Sequence, residues 1–445
     1  MADRPEFLVR GERARLLPIL SEKNKEARSL SPFLATLSVV RNYAAEIFGE
    51  IGVRIGARAK IECFTEVCFE TDRKAKDLSR PDGLIVIDTG RAKWSALVEA
   101  KIGESELSAE QVERYLTIAR ANRVDAVITI SNQFSAVPHH HPVQVSGHKT
   151  KSVSLFHFSW MHLLTVAKLQ LMNDVVDDAE QQWLLNEFVR FIGDDSAGVR
   201  GFDQMPKAWK SLVGTARQGA PNLPQDEMRE VTEAWQQECR DLELILSRQL
   251  GRRVEQQLSR AEKANPTTKF DSDLKRLKKD RALSISLDLP DASYPLVIDV
   301  RISRGTINQS VYIRAPGDRK SNKARLNWLL RQIPSEADGQ LIIRAYWPGR
   351  APTSEYEIGK LRDDPTLLFD GKESMQVLGF EIVRCTDLGV RMSQPRTFIQ
   401  ELELAVPAFY KLVVEHITEW QPAPPKIPAD RSNPDDVSPS KLGVD

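Results

Sequence analysis

The sequence predicts an α/β protein in which a mixed sheet flanked by helices is followed by a helical connector and a second α+β domain. Short apolar runs rich in β-branched residues recur through the first part of the chain, between stretches with helical spacing of apolar residues. One helical stretch separates two buried strands, which indicates a parallel pair joined by a crossover helix. Near residue 282 the pattern changes to strands separated by Pro and Gly, which indicates a further domain.

The composition is that of a globular protein without a strong charge bias. Of the 445 residues, 41% are hydrophobic and 28% charged, and Lys plus Arg equal Asp plus Glu at 62 each. This balance argues against a histone-like binder and requires any affinity for nucleic acid to come from local patches. The four cysteines form no CxxC pair, which indicates thiols of a reducing compartment rather than a zinc site. Without a signal-peptide pattern or a long apolar stretch, we expect a cytoplasmic protein with no membrane partner.

The first elements are a helix and a strand. Residues 6–29 are expected to be helical in part, and Ser31 and Pro32 then predict the start of an amphipathic helix, with Ser31 as N-cap. Apolar and polar residues alternate over 60–70, which predicts a strand. A charged turn over 71–79 is expected to follow it.

The next stretch reads strand, turn, strand, helix, strand. Residues 83–88 are a buried apolar run and 94–99 supply a second strand. Ser108 precedes a helix whose apolar residues recur at helical spacing. Those residues are Val112, Tyr115, Leu116 and Ala119. Residues 125–130 form another buried strand, so a helical crossover predicts parallel pairing with the strand at 94–99.

Two acidic residues and a lysine interrupt this buried unit. Asp82 precedes one strand and Glu99 ends the next, so adjacent strands bring both carboxylates to one end of the sheet. Carboxylates, with the Ala100 carbonyl, are oxygen ligands suited to magnesium or manganese. Lys101 shares a strand face with Glu99 and can orient or help deprotonate a water. An exposed ion pair is the ordinary alternative, but unpaired charge in a buried unit is costly, which favours a functional site.

These residues resemble the motif of the PD-(D/E)XK nuclease superfamily. A Pro-Asp pair ends at Asp82, Glu99-x-Lys101 follows, and Gln111-x-x-x-Tyr115 is similar to the QxxxY motif of the RecB-like exonuclease branch. The resemblance covers roughly residues 30–160 and implies a restriction-endonuclease-like mixed sheet. It implies metal ligation by Asp82 and Glu99, a catalytic role for Lys101, and substrate positioning by Gln111 and Tyr115. The alternative is that Gln111 faces solvent and Tyr115 belongs wholly to the core.

The family pattern also includes an upstream glutamate, for which two residues compete. Glu46 lies on a predicted helix but points away from its apolar face. Glu66 lies on the strand before the motif and is the preferred candidate, with a substrate-positioning role.

Three histidines between two prolines, at 139–141, invite a metal interpretation. Consecutive side chains in an extended loop diverge, so a polar loop near the rim of the site is favoured. His157 and His162 are expected to be packed and hydrogen-bonded. A strand at 154–158, a helix at 160–172 capped by Ser159 and a helix at 178–192 complete a first domain over 1–200.

The remaining chain divides into a helical connector over 201–281, an α+β domain over 282–420 and a disordered tail over 421–445. A long amphipathic helix is predicted at 226–250 and a helix kinked at Pro407 over 397–420. The basic run at 275–279 can neutralise phosphates or simply be a solvated helix face.

The sequence therefore favours a magnesium-dependent deoxyribonuclease, with DNA as its partner. The alternative is a non-catalytic module that binds nucleic acid or protein on a degenerate nuclease fold. Nothing in the sequence distinguishes endonuclease from exonuclease or predicts the oligomeric state.

Overall fold

The computed structural model describes residues 8–16, 24–69, 80–103, 105–135, 137–290, 292–337 and 339–421. The turn predicted over 71–79 and the tail predicted beyond Gln421 lie outside these ranges. No helix within them is both long enough and apolar enough to cross a membrane.

The first sheet is mixed and has six strands in sequential order. They are β1 (Leu8–Arg13), β2 (Lys60–Phe69), β3 (Gly83–Asp88), β4 (Lys93–Ala100), β5 (Ala126–Ser131) and β6 (Ser154–Ser159). Pairing is antiparallel from β1 to β4 and parallel from β4 to β6. The predicted parallel pair of β4 and β5 is therefore confirmed, because a helix carries the chain between them.

Helices cover both faces of this sheet. On one face, α1 (Lys25–Val39), α2 (Arg41–Glu50), α4 (Trp160–Met172) and α5 (Ala179–Ile192) share a core with alternate residues of β2 to β6. On the other face, α3 (Ala109–Ala121) packs through the four apolar residues predicted from its spacing. In β3 and β4, Leu84, Leu97 and every second residue from them point towards α3. This is the face of the sheet that carries the candidate site.

The start of the chain differs from the prediction. Residues 8–13 form a strand, because pairing with the edge of β2 outweighs the local pattern. The first helix begins at Lys25 rather than at Ser31, since the Asn24 side chain caps it by accepting from the Ala27 N–H at 3.3 Å. Pro32 lies inside the helix. The Ser31 hydroxyl instead donates to a main-chain carbonyl of the β1–α1 segment at 2.9 Å.

The second sheet has seven antiparallel strands in the order β12-β11-β13-β10-β9-β8-β7. They are β7 (Glu255–Gln256), β8 (Ala282–Asp288), β9 (Leu296–Arg301), β10 (Thr306–Arg314), β11 (Leu341–Tyr346), β12 (Ser354–Glu357) and β13 (Gly379–Asp387). The accompanying helices are α6 (Ala208–Arg217), α7 (Gln225–Leu250), α8 (Arg260–Ala264), α9 (Pro266–Asp280), α10 (Asn322–Leu330), α11 (Ile358–Asp363) and α12 (Pro395–Leu412). The last helix contains Pro407 but ends at Leu412, short of the predicted Trp420.

The helices of the connector contribute to the core of the second sheet. Apolar residues of α6, α7 and α9 belong to the same buried cluster as the strands from β8 to β13. The long helix α7 also contacts α4 on the first sheet, where Arg240 Nη2 lies 3.2 Å from His162 Nδ1. Arg253, just beyond α7, donates to Glu50 Oε1 at 2.9 Å. The connector thus joins the two sheets through polar contacts as well as packing.

Candidate active site at the end of strand β4

The site forms where β4 runs beyond its pairing with β3. The last pair of these strands is Gly83 with Val98, so Asp82 and Glu99 both lie just past the ladder. There the Ala100 N–H donates to Asp82 Oδ2 at 2.9 Å. Gly83 also permits close packing of α1, because a Cβ at that position would lie 2.9 Å from a side-chain atom of Leu34.

The main chain of Lys101 is fixed from two directions. Its N–H donates to the Ile130 carbonyl of β5 at 2.8 Å, and its own carbonyl accepts from Trp160 Nε1 at 2.9 Å. Trp160 is fully buried at the start of α4. The side chain of Lys101 therefore extends from a well-held backbone.

Glu99 is the centre of the cluster. Glu99 is only 1% exposed. Its Oε1 atom lies 2.8 Å from Lys101 Nζ and 2.5 Å from Gln111 Nε2. The second carboxylate oxygen, Oε2, is buried and has no hydrogen-bond partner among the described residues. An unpaired carboxylate oxygen in the interior is costly, so this atom indicates a place where a donor or a cation belongs.

Helix α3 places Gln111 and Tyr115 on one face, one turn apart. The Ser108 hydroxyl caps the helix by accepting from the Gln111 N–H at 3.2 Å. Gln111 Nε2 also lies 3.4 Å from the Tyr115 hydroxyl, which donates to the Arg80 carbonyl at 3.2 Å. The Tyr115 ring packs in the core beneath α3, while its hydroxyl lies beside Gln111. Its role in substrate positioning stays a prediction. Gln111 contacts the cluster rather than facing away from it.

The charges of the cluster shift the pKa values of its members. Burial, followed by the charge of Glu99, raises the pKa of Asp82 to about 8. Burial acts to lower the pKa of Lys101, but the hydrogen bond and charge of Glu99 outweigh it and raise that pKa. Burial and then Glu99 also raise the pKa of Tyr115. Lys101 is therefore an ammonium at neutral pH, and a donor of hydrogen bonds rather than an acceptor of protons.

A third carboxylate, that of Glu26, approaches the cluster, and sequence reasoning missed it. Glu26 Oε2, in the first turn of α1, lies 3.6 Å from Lys101 Nζ. Glu46 pairs with Arg253, 3.2 Å away, on the outer side of α2. Glu66 is exposed on β2, has a positive φ of 51°, and donates its N–H to the Asp82 carbonyl at 3.2 Å. Its proposed role in substrate positioning stays a prediction.

The oxygen donors at this position suit a hard divalent cation. Across the described ranges, no group of three or more His, Cys, Asp or Glu side chains is arranged to hold a metal ion. The set is instead two carboxylates, Asp82 and Glu99, and the Ala100 carbonyl. A strand residue presents its N–H and C=O to the same side, so the Ala100 carbonyl faces the side of Asp82. With the unpartnered Glu99 Oε2, these donors fit magnesium or manganese, which keep several water ligands.

The histidine loop has a different role. Thr129 Oγ1 lies 2.8 Å from both His141 Nε2 and His157 Nδ1, and His157 Nε2 is 2.8 Å from the Gln133 carbonyl. Burial lowers the pKa of His157 to about 3 and that of His141 to about 4. These neutral, hydrogen-bonded imidazoles stabilise the end of the sheet. His162 is likewise packed and hydrogen-bonded, as expected, with Nε2 2.8 Å from Glu50 Oε2.

Comparison with known proteins found no matching family model, no matching curated protein and no matching solved structure.

Proposed function

We propose that the chain is a metal-dependent nuclease that hydrolyses phosphodiester bonds in DNA, as its resemblance to the PD-(D/E)XK superfamily implies. The observation that carries the proposal is the meeting of Asp82, Glu99, Lys101 and Gln111 at the end of β4, with Glu99 Oε2 left unpartnered. The order of elements supports it further. Three antiparallel strands, a helix and a parallel strand follow α1 and α2, as a restriction-endonuclease-like fold requires.

Asp82, Glu99 and the Ala100 carbonyl would hold magnesium or manganese. When bound, the metal supplies positive charge that polarises a phosphoryl oxygen and lowers the pKa of a coordinated water. The ammonium of Lys101 donates hydrogen bonds to the attacking water or to the phosphate, and stabilises negative charge that develops there. Gln111 holds Glu99 Oε1 in place, and the Tyr115 hydroxyl supports Gln111 from below.

The proposal is tested by incubating single- and double-stranded DNA with magnesium and wild type, Asp82→Ala or Lys101→Ala. We expect wild type to cleave and both variants to be slower by at least about 100-fold, the scale of losing one preorganised charge-stabilising group. Lys93→Ala is a matched control, because Lys93 begins β4 at the opposite end and its side chain is 76% exposed. Equal cleavage by wild type, Asp82→Ala and Lys101→Ala would contradict the catalytic roles assigned to Asp82 and Lys101.

A second candidate is a non-catalytic module on the same fold that binds nucleic acid or protein. One observation favours it: the described residues provide no third metal-binding side chain beside Asp82 and Glu99. Calorimetry distinguishes the two candidates. Binding of magnesium or manganese that is lost in Asp82→Asn supports the nuclease, whereas the same titration curve for both proteins supports the binding module.

A further inference from the structure

Among the residues that the structure describes, helices share a buried core with one face of the second sheet. Residues such as Ile298, Val311 and Ile343 point into the core that the helices close. The residues between them point the other way and are largely half-buried or exposed. We call this second surface the open face. Its members include Asp299, Arg301, Asn308, Tyr312, Arg314, Arg344, Tyr346 and Glu381.

Three tyrosines lie together at one end of the open face. The ring centroids of Tyr294 and Tyr312 are 5.0 Å apart, and those of Tyr312 and Tyr346 are 5.6 Å apart. The Tyr312 ring lies flat across β13. A Cβ at Gly379 of that strand would be only 2.1 Å from the Tyr312 hydroxyl oxygen. A glycine at that position is thus required for the ring to lie across the neighbouring strand. All three rings are half-buried, so part of each aromatic surface is accessible.

Arginines line the same surface. Arg276 Nη1, from the basic run of α9, lies 3.7 Å from Asp299 Oδ1, which places that run beside the open face. Arg301 also contacts Asp299. Near the tyrosines, Arg344 Nη1 lies 2.8 Å from Glu381 Oε2, and the Tyr346 hydroxyl donates to the same oxygen at 2.9 Å. These pairs hold the guanidinium groups in fixed orientations on the surface of the sheet.

We propose that the open face binds single-stranded nucleic acid, with bases stacked on the tyrosines and phosphates bound by the arginines. Aromatic rings stack on any unpaired base, and planar guanidinium groups donate paired hydrogen bonds to phosphate. Thr306 pairs with Arg301 at the start of β10, and Tyr312 lies near its end. At about 3.4 Å per residue this places Arg301 roughly 20 Å from Tyr312, room for a few nucleotides.

Single strands fit this surface better than the other partners of a sheet. In a duplex the bases stack on one another and present no free face to a tyrosine. The fully buried centre of a stable protein interface is depleted of charged residues. Here polar Asn308 and ion-paired Asp299 interrupt the apolar side chains. The proposal concerns binding alone and does not depend on cleavage at the end of β4.

The test is fluorescence anisotropy in EDTA at low salt, with labelled oligothymidylate and oligouridylate as probes. The full-length Asp82→Ala chain is used throughout, so that no cleavage can occur and failure of the nuclease proposal leaves this measurement unaffected. We expect the added change Tyr312→Ala to weaken binding of at least one probe by about fivefold or more, the loss of one base–aromatic contact. Tyr312→Phe keeps the ring and should bind as the parent does. Trp183→Ala is the control, because Trp183 is an exposed aromatic, 62% accessible, on α5.

The outcomes separate clearly. Weaker binding by Tyr312→Ala and by Arg301→Ala, with unchanged melting temperatures and an unaffected Trp183→Ala, supports the proposal. Unchanged affinity in a folded Tyr312→Ala chain overturns it, as does the absence of binding to either probe by the parent. If Tyr312→Ala loses stability, the folded Arg301→Ala chain decides the question: weaker binding supports the proposal, and unchanged affinity overturns it. A dimer that dissociates in Tyr312→Ala, with no oligonucleotide bound, assigns the face to self-association and also overturns the proposal.

Discussion

Glu26 Oε2 lies 3.6 Å from Lys101 Nζ, so the first turn of α1 reaches the end of β4. Gly83 makes this approach possible, because it leaves room for Leu34 of α1 against the sheet. The ammonium of Lys101 is thus paired with both Glu99 and Glu26, which both act to raise its pKa. Glu26 therefore helps to keep Lys101 charged.

Glu26→Gln should slow cleavage by about 10- to 100-fold, the usual effect of removing a group that orients an active-site residue. The measurement is the single-turnover rate of oligonucleotide cleavage with magnesium. Glu66→Gln is the matched comparison, since Glu66 is the upstream glutamate that the sequence favoured. If Glu66→Gln cleaves slowly and Glu26→Gln cleaves at the wild-type rate, the roles assigned to the two residues are reversed.

Gln111→Ala should slow cleavage by roughly 10- to 1000-fold, because Glu99 loses the amide that fixes its Oε1 atom. The melting temperature should change little, since the Gln111 side chain is only half-buried. Glu110→Ala, at the neighbouring exposed position of α3, provides the control. If Gln111→Ala cleaves DNA at the wild-type rate, Gln111 does not contribute to the reaction.

Asp82→Asn should melt at a higher temperature than wild type in EDTA at pH 8. Burial and Glu99 raise the pKa of Asp82 to about 8, so its contribution to stability is full below its ordinary pKa near 4 and lost as the pH rises through 8. Asparagine keeps an oxygen that can accept from the Ala100 N–H but carries no charge. A relief of about 1 kcal/mol corresponds to roughly 2–4 °C in a domain of 150–250 residues.

The difference in melting temperature between Asp82→Asn and wild type should shrink towards pH 5, where the folded wild type is protonated at this position. Saturating magnesium should stabilise wild type more than the variant, because a bound ion favours the folded state. A variant that melts below wild type at pH 8 in EDTA would contradict this account of the buried carboxylates.

Glu50→Gln should destabilise the fold by about 3 kcal/mol, the lower end for removing one partner of a buried ion pair. Burial acts to raise the pKa of Glu50, but His162, Arg253 and Arg240 outweigh it and lower that pKa to about 2. The contribution of Glu50 is thus full above its unfolded pKa near 4.3 and lost as the pH falls towards 2. Urea denaturation of wild type and Glu50→Gln measures the difference in unfolding free energy at pH 7. The same measurement at pH 3 should give a smaller difference.

Glu46→Gln is the control for that measurement. Glu46 pairs with the same arginine, Arg253, but its side chain is 47% exposed against 11% for Glu50. Its loss should cost less than about 1 kcal/mol, as for other exposed ion pairs. Equal destabilisation by the two substitutions would show that burial does not set the strength of these contacts.

Local patterns were sufficient for the elements that carry the candidate site. The strands β3, β4 and β5 lie within one residue of their predicted bounds, because apolar β-branched runs specify them locally. The helix α3 begins directly after Ser108, as predicted. The proximity of Asp82 and Glu99 followed from strand order alone, whereas that of Gln111 was implied by the resemblance to the QxxxY motif.

The remaining features depend on contacts distant in sequence. The edge strands β1 and β7 form because a neighbouring strand pairs with them, not because their own residues specify a strand. The approach of Glu26 depends on how α1 packs over Gly83, although Asn24 as a helix cap was a local signal that could have moved the predicted start of α1. Tyr312 and Tyr346 of the open face meet because β10 and β11 both pair with β13.

The most direct test of the central claim is the cleavage rate of a DNA oligonucleotide by wild type and Glu99→Gln, each with magnesium and with EDTA. Glutamine preserves the shape of Glu99 but removes the charge that a metal ion and Lys101 require. We expect cleavage by wild type in magnesium, none in EDTA, and a loss of at least about 100-fold in Glu99→Gln, with exposed Glu110→Gln unaffected. Cleavage that survives EDTA or Glu99→Gln, or a wild type that cleaves no DNA with magnesium, would contradict the account.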